Sequence, residues 1–344
     1  MKKILFTLTL LLFFLTGCVG LPVIYECNCP TEEEKTETTE PIIKEGSAKT
    51  GLAIVTSASK SKGQKVEYDV TIVGVTVDND GVITACKIDS VGVTVELNTD
   101  GTIKTDITKE IKSKQELKDS YGMVAYGGAK AEWYKQADAL AKYCVGKTAA
   151  QVEGIAVDQG TKPTDADLSS SVTIAIGGYK SVIVKAVNNA KNLGANSTED
   201  LNLAVNASIK SSVNATSEKS GTVQLDLDAA LVTDKEDVIT SCVIDSVQAK
   251  VQYDTTGTIT TDVSKEMKTK NELGKDYGMV AWGGAKYEWN EQTASFCEYV
   301  KGKTAAQVAG IAVDQGTKPT DTDLSTSVTI AIGGFKALIA EALA

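Results

Sequence analysis

The chain has 344 residues, a formal net charge of -10, no histidine and no arginine. The lack of histidine excludes Ser-His-Asp and Cys-His catalysis and the histidine-containing zinc sites. The acidic balance and the lack of arginine exclude nucleic-acid binding through a basic stripe or an arginine fork.

The N-terminal segment has the pattern of a bacterial lipoprotein signal peptide. Two lysines precede an apolar run over residues 4–15, and Leu-Thr-Gly-Cys at residues 15–18 matches a lipobox. The apolar run is too short to span a bilayer as a helix. We therefore expect residues 1–17 to be removed and Cys18 to be lipidated. The protein would then be anchored by lipid at the extracytoplasmic face of the cell membrane.

An acidic segment follows the predicted anchor. Residues 30–46 are rich in Glu and Thr and have too little apolar surface to fold alone. We interpret residues 18–46 as a tether between the membrane and the folded part of the chain. Cys27 and Cys29 lie in this tether, and a Cys-Asn-Cys pattern is too short to assign them a role.

The rest of the chain is an internal duplication. A constant offset of 156 positions, the separation of Cys86 and Cys242, relates the two copies without a gap from about residue 83 onward. A polar linker rich in Asn and Gly separates them. We therefore predict two homologous domains, at residues 47–190 and 200–344. No motif is divided between them, so we expect each to fold alone.

Each repeat begins with a predicted antiparallel sheet. In the first, VEYDVTIVGVTV and VITACKIDSVGVTVEL alternate apolar and polar residues and are separated by an Asp-Asn-Asp-Gly turn. Helical periodicity begins near Gly128, and further helices are predicted at TAAQVEGIAV and YKSVIVKAV, with a strand at SVTIAI between them. This order indicates the α+β class, with two tandem domains that are each a curved antiparallel sheet with packed helices.

The main helix of each repeat has one apolar stripe. Its residues recur at the spacing of one helical face, and the helix of the first repeat is predicted to end at a glycine. We expect this stripe to pack on the sheet. Its members are Trp133, Ala137, Leu140, Ala141 and Cys144 in the first repeat and Trp289, Thr293, Phe296, Cys297 and Val300 in the second.

Each repeat has one cysteine on a predicted strand and one on the main helix. These are Cys86 and Cys144 in the first repeat and Cys242 and Cys297 in the second. An even number of cysteines outside the cytoplasm permits a disulfide in each repeat. Buried free thiols are the alternative, and the sequence leaves both open.

In order, these features resemble the FMN-binding domain of bacterial membrane-associated flavoproteins. In that family a V-x-V-x-x-D-G-x-I strand pair is followed by a helix and a D-x-x-S-G-A-T motif, whose last threonine carries FMN through a phosphoester bond. The first repeat has VTVDNDGVI at residues 75–83 and DLSSSVT at residues 167–173, and the second repeat has DLSTSVT at residues 323–329. The resemblance implies covalent FMN on Thr173 and Thr329, with Asp167, Ser170, Asp323 and Thr326 at the other matching positions.

The motif departs from the family pattern at two positions. Ser and Val stand at residues 171–172 and again at residues 327–328, where the family has Gly and Ala. Glycine usually marks a sharp turn or a close backbone approach, which Ser and Val disfavour. The predicted strand therefore gives a second interpretation, in which Thr173 and Thr329 are exposed strand residues without a cofactor.

Each repeat also has aromatic residues beside glycines, and an isoalloxazine ring packs on aromatic or apolar surfaces. Tyr126 and Trp282 lie in predicted loops, where a large aromatic side chain indicates a contact surface. We predict that these two side chains contact the flavin or another ligand. Trp133 and Trp289 lie on the helical stripe and are predicted to belong to the core.

The sequence supports two hypotheses of function. In the first, a surface lipoprotein carries electrons through two flavins to a redox partner protein at the outer face of the membrane. In the second, a lipid-anchored binding module keeps the fold without covalent flavin and contacts a ligand or protein through the Tyr126 and Trp282 loops. No arrangement of acid, base and nucleophile is recognisable in both repeats, so we do not expect an enzyme.

Overall fold

The computed structural model describes residues 45–344. The predicted signal peptide, Cys18, and the tether cysteines Cys27 and Cys29 lie outside these residues. The described residues form one compact unit. None of the helices in this part of the chain combines the length and the apolar character that a bilayer crossing requires.

Each repeat contains one three-stranded antiparallel sheet, with the strands in sequence order. Each register is regular except for one bulge near the end of the central strand. The first sheet consists of β1 (Lys49–Ser57), β2 (Lys65–Val77) and β3 (Ile83–Glu96), and the second of β4 (Asp200–Ser208), β5 (Gly221–Lys235) and β6 (Val238–Tyr253).

Five α-helices follow the sheet in each repeat. The first repeat has α1 (Lys114–Leu117), α2 (Trp133–Cys144), α3 (Ala149–Glu153), α4 (Ala166–Ser169) and α5 (Gly177–Asn189). The second has α6 (Lys270–Leu273), α7 (Trp289–Val300), α8 (Ala305–Ala309), α9 (Thr322–Ser325) and α10 (Gly333–Ala342). The predicted α+β class and the two similar sheet-and-helix repeats are therefore confirmed.

The turn between the two longest strands needs left-handed backbone in both repeats. Gly81 supplies it in the first repeat with φ of 81°. The second repeat lacks this glycine, and Glu236 and Asp237 adopt φ of 53° and 63° instead. The hairpin is thus kept although its sequence has changed.

The predicted apolar stripes of α2 and α7 are confirmed. All ten predicted members are buried, and each helix buries one further residue, Gln136 in α2 and Gln292 in α7. Trp133 and Trp289 belong to the core, with exposed fractions of 3% and 5%. α2 packs on β3 and α7 packs on β6, so each stripe faces the sheet of its own repeat.

The strand predicted at SVTIAI is wrong. Residues 170–176 form a turn and an irregular segment between α4 and α5. This segment joins no sheet, and the backbone N–H groups of Thr173 and Ile174 donate to the side-chain oxygen of Gln136 at 2.8 and 3.2 Å. The alternating pattern places Val172, Ile174 and Ile176 on one buried face of a strand. In the structure Val172 and Ile176 are buried, but Ile174 is only half-buried.

The two sheets pack face to face. One face of each sheet contributes to a hydrophobic core shared by both repeats, and the other face is covered by the helices of its own repeat. The order of layers is therefore helices, sheet, sheet, helices. Tyr68 of β2 crosses this shared core, where its hydroxyl donates to the carbonyl of Val223 at 2.8 Å.

The repeats also exchange edge contacts. Ile111, which follows β3, forms a bridge with Ala207 of β4, and Met267, which follows β6, forms the equivalent bridge with Thr56 of β1. One edge strand of each sheet, β1 or β4, is therefore bridged by a segment of the other repeat. The boundaries 47–190 and 200–344 stay a prediction. The expectation that each repeat folds alone is not supported, because a repeat without its partner would lose one side of the shared core and the segment that bridges one edge of its sheet.

Two buried carboxylates position the helical turns that follow the sheets. Asp89 accepts from the backbone N–H of Gln115 in α1, and Asp245 accepts from that of Asn271 in α6, both at 3.1 Å. Burial raises the pKa of each carboxyl to about 6, although hydrogen bonds from neighbouring groups oppose this rise.

These two carboxyls predict how stability depends on pH. An unfolded aspartate titrates near pH 3.9, so between about pH 4 and 6 the folded protein binds protons that the unfolded chain releases. The free energy of unfolding is therefore expected to fall as the pH rises through this interval, by on the order of 2–3 kcal/mol for each carboxyl. Urea unfolding at pH 4.5 and pH 7 measures the fall. The variant Asp89→Asn with Asp245→Asn keeps the accepting oxygens and should show a smaller fall, and equal falls in both proteins would contradict this assignment.

Candidate functional site

The exposed apolar surface is concentrated on two equivalent loops. Among residues 45–344, five of the six exposed large hydrophobic residues lie on them or at their base. We name the segments 122–130 and 278–286 the aromatic loops. Tyr126 at the tip of the first is 91% exposed, and Trp282 at the tip of the second is 82% exposed.

A buried glutamate holds each aromatic loop. The carboxylate of Glu132, which is 5% exposed and precedes α2, accepts from the backbone N–H groups of Met123 and Val124 at 2.8 and 3.0 Å. Glu288 does the same in the second loop, accepting from Met279 at 2.9 Å and from Val280 at 3.1 Å. Because the acceptor is charged, these hydrogen bonds are stronger than those between neutral groups.

Each tip aromatic lies against a glycine. Gly122 has φ of 78° and Gly278 has φ of 82°, values that side chains disfavour. A Cβ atom at Gly122 would lie 2.4 Å from the ring of Tyr126, and one at Gly278 would lie 2.1 Å from the ring of Trp282. Each glycine therefore allows the ring to lie against the backbone, and the rest of the ring faces solvent.

A lysine joins the base of each aromatic loop to the core. Lys114 Nζ lies 5.1 Å from the ring centroid of Tyr121 and 5.3 Å from that of Trp133. Lys270 lies 5.2 and 4.9 Å from the equivalent rings in the second repeat. Cation–π contacts at such distances stabilise the arrangement in both repeats.

The two threonines of the FMN-type motif lie in the irregular segments before α5 and α10. Thr173 is half-buried and Thr329 is exposed. The hydroxyl of Thr173 donates to Gln136 Oε1 at 3.2 Å, and that of Thr329 donates to Gln292 Oε1 at 3.1 Å. Both hydroxyls are thus within reach of solvent and already hydrogen-bonded to a buried amide.

The other motif residues belong to local turns. Asp167, Ser170, Asp323 and Thr326 are exposed. The Ser170 hydroxyl donates to the carbonyl of Asp167 at 2.9 Å, and the Thr326 hydroxyl donates to that of Asp323 at 3.0 Å. These contacts close the turns after α4 and α9, and they do not involve the side-chain carboxylates of the two aspartates.

Four buried polar residues of this region were missed by the sequence analysis. Glu132 and Glu288 hold the aromatic loops, and Gln136 and Gln292 hold the threonine segments. The amide of Gln136 also donates to Ala131 at 2.8 Å, so one side chain connects the loop end to the segment before α5. The available signal was the recurrence of Glu-Trp-x-x-Gln in both copies, with polar residues beside or on an apolar stripe.

The four cysteines of the repeats are buried free thiols in this structure. Burial raises the pKa of the Cys144 thiol to about 12 and that of Cys86 well above its usual range. A hydrogen bond between the two thiols, together with burial, raises the pKa of Cys242 beside Cys297. Protonated buried thiols are poor nucleophiles.

Comparison with protein-family models, with curated proteins and with solved structures finds no match for this chain. The resemblance to FMN-binding domains therefore stays a prediction from the motif. Within residues 45–344, no group of three or more Cys, Asp or Glu side chains is arranged to hold a metal ion.

Proposed function

We propose that this protein is a lipid-anchored, non-enzymatic binding module that contacts a partner protein through its two aromatic loops. The observation that carries this proposal is the near-complete exposure of Tyr126 and Trp282 at equivalent positions of two loops that buried glutamates hold by hydrogen bonds. Tyrosine and tryptophan are the residue types that contribute most to protein interfaces. The exposure of both side chains to solvent favours a role in binding rather than in the hydrophobic core.

The loops are built to bind without rearrangement. Glu132 and Glu288 hold the backbone on one side of each tip, and a glycine supports each ring on the other. A loop that is ordered before binding loses less conformational entropy when its partner binds. The partner is therefore expected to offer two preformed apolar pockets at a fixed separation.

The chemistry of the tips distinguishes a protein from other ligands. From Gly122 to Ala129 the only side-chain polar group is the hydroxyl of Tyr126, and the second loop has Trp282 there. Such tips offer few hydrogen bonds to the hydroxyl groups of a glycan. The net charge of -10 opposes attraction to an anionic bilayer. Lys130 and Lys286 follow the tips and favour pockets with an acidic rim.

Photo-crosslinking from the loops tests this proposal. A photoreactive amino acid replaces Ala125 or Ala281, which are exposed and leave both rings in place, in the full chain made in its own host. We expect one discrete protein adduct from either position. Val213, a 55% exposed apolar residue outside the loops, is the matched control position and should give no such adduct. Adducts to lipid alone, or identical adducts from all three positions, would contradict the proposal.

Covalent FMN on Thr173 and Thr329, with an electron-carrier role, is the second candidate function. The observation that favours it is that α5 and α10 each begin four residues after the threonine, since helix N-termini attract phosphate groups. When bound, the flavin would supply the redox chemistry. The chain's own part would be to offer the two hydroxyls, both partly or fully accessible, and to keep Gln136 and Gln292 in contact with the backbone beside them.

Intact-mass analysis of the protein from its own host tests the flavin candidate. Attachment predicts added mass of one or two FMN groups and a yellow protein. The variant Thr173→Val with Thr329→Val keeps the β-branched shape and loses the attachment oxygens, so it should fold normally and carry no flavin. Because valine removes one hydrogen bond per repeat, we expect a stability loss of about 1 kcal/mol at each site. A colourless wild-type protein without added mass would exclude this candidate and leave the binding module unaffected.

A further inference from the structure

A concave region lies between the repeats, away from the aromatic-loop tips. It has a volume of about 580 Å³, which lies within the range of about 300–1,000 Å³ typical of small-molecule sites. Its floor contains the buried residues Leu52 of β1, Cys242 and Ile244 of β6, and Cys297 of α7. We name it the inter-repeat cavity. Both repeats and the linker are needed to form it.

Asparagine amides line the mouth of the inter-repeat cavity. Asn188 and Asn189 end α5, Asn271 lies in α6, and Asn290 lies in α7. The Nδ2 groups of Asn189 and Asn271 donate to backbone carbonyls at 2.9 and 3.0 Å, which orients their oxygens as remaining acceptors. An amide offers both a donor and an acceptor, as a hydroxyl group does.

Asn290 has an unsatisfied polar atom. Its Oδ1 is buried and has no hydrogen-bond partner among the residues that the structure describes. A buried acceptor without a donor costs about 1–3 kcal/mol. This oxygen is closed to solvent as the side chain stands, so a ligand in the cavity would reach it only after the Asn290 amide rotates, and an N–H or O–H group of that ligand would then remove the cost.

The first repeat has bulkier or charged residues at the equivalent positions. Tyr134 corresponds to Asn290, and Asp138 corresponds to Ala294. At these two lining positions of α7 the second repeat therefore has smaller, uncharged side chains, although Glu291 and Glu298 of the same helix also line the cavity. This difference cannot come from the shared fold, because α2 and α7 bury the same stripe.

Apart from the exposed Lys191, whose side chain forms no hydrogen bond or ion pair with the described residues, the charged groups that line the inter-repeat cavity already have protein partners. Glu298 pairs with Lys301 at 2.5 Å, and Lys301 also donates to the carbonyl of Leu193 at 3.1 Å. A charged ligand would have to compete with these contacts. Asp245 accepts from the backbone N–H groups of Ser246 and Asn271. Glu272 forms an ion pair with Lys185. Glu291 accepts from the backbone N–H of Glu288.

From these contacts we infer that the inter-repeat cavity binds a small, uncharged, hydroxyl-rich ligand of one or two sugar rings. The asparagine amides meet hydroxyl groups at the mouth, and Asn290 Oδ1, once its amide has rotated toward the cavity, accepts a hydroxyl hydrogen. The apolar floor packs against the C–H faces of a ring. This inference does not rest on the role of the aromatic loops.

Saturation-transfer NMR on the wild-type chain tests the inference. The probes are glucose, galactose, N-acetylglucosamine and maltose at millimolar concentration, with glutamate and phosphate as charged comparisons. We expect saturable transfer to at least one sugar and none to the charged compounds. Absence of transfer to every sugar, or transfer to a charged compound alone, would overturn it.

Variants that borrow residues from the first repeat locate the binding. Asn290→Tyr fills the cavity and removes the unpaired acceptor, and it should weaken sugar binding at least tenfold. Ala294→Asp, at an exposed position of the lining, changes the mouth with little risk to folding and should also weaken it. Tyr134→Asn in the first repeat is the control and should leave binding unchanged. Undiminished binding in both Asn290→Tyr and Ala294→Asp would place the sugar elsewhere and overturn the inference.

Discussion

Residues 45–198 and 199–344, made as two separate chains, are expected not to give folded monomers. The shared core contains 25 buried hydrophobic residues, eleven from the first repeat and fourteen from the second. Fully burying a large apolar side chain contributes about 1.5–3 kcal/mol, and a whole domain is stable by only about 5–15 kcal/mol. Exposing one side of this core therefore removes more free energy than a single repeat has available.

The contacts of the shared core explain why one repeat cannot substitute for the other. Leu231 of β5 lies against Gly74 of β2, where a Cβ atom would be 2.1 Å from its side chain. Gly74 and Leu231 occupy equivalent positions in the two sheets. The small residue of one repeat therefore makes room for the bulky residue of the other across the sandwich. Tyr68 similarly finds its acceptor, Val223, in the opposite repeat.

Size-exclusion chromatography and urea unfolding measure this result. Each half alone should aggregate, and an equimolar mixture refolded together should recover a 1:1 complex with cooperative unfolding. A chain cut in the linker after folding is the control, and its halves should stay associated. A single half that is monomeric and unfolds cooperatively would contradict the shared core.

Replacing Tyr126 and Trp282 together with alanine is expected to abolish the protein crosslink from the aromatic loops. An aromatic anchor that enters a partner pocket contributes about 2 kcal/mol or more, which corresponds to roughly 30-fold in affinity for each ring. If both rings bind one partner, the double variant should lose roughly 1,000-fold. The crosslink from Ala125 or Ala281 should then fall to the level given by Val213.

The same variant should keep its fold. The two rings are 91% and 82% exposed, so their removal is expected to change the free energy of unfolding by less than about 0.5 kcal/mol. The exchange Tyr126→Trp with Trp282→Tyr is the matched control, because two equivalent loops have Tyr in one repeat and Trp in the other, and it should retain the crosslink. An alanine variant that crosslinks as well as the wild type would show that the rings are not the contact.

Local patterns were sufficient for the sheet hairpins, for the main helices and for the two exposed rings. The period of 3.6 residues on α2 and α7 places Trp133 and Trp289 in the core, because a helix packed on a sheet must bury one face. Glycines beside Tyr126 and Trp282 indicate loops, and an aromatic residue in a loop has few neighbours to bury it. These features depend on neighbouring residues along the chain, which a single sequence displays.

Only the tertiary structure decided the roles of the buried polar groups. The alternation in SVTIAI predicts a strand, yet a strand needs a partner, and here the side chain of Gln136 takes the backbone N–H groups that a neighbouring strand would have taken. The repeat pattern likewise suggests two independent domains, since an internal duplication does not reveal whether its copies share a core. Which apolar face of a sheet meets the helices and which meets the other sheet depends on contacts between residues far apart in the chain. The sequence alone determines the duplication, the sheet hairpins, the main helices and the exposed rings, and the packing of one copy on the other decides the common core and the cavity between them.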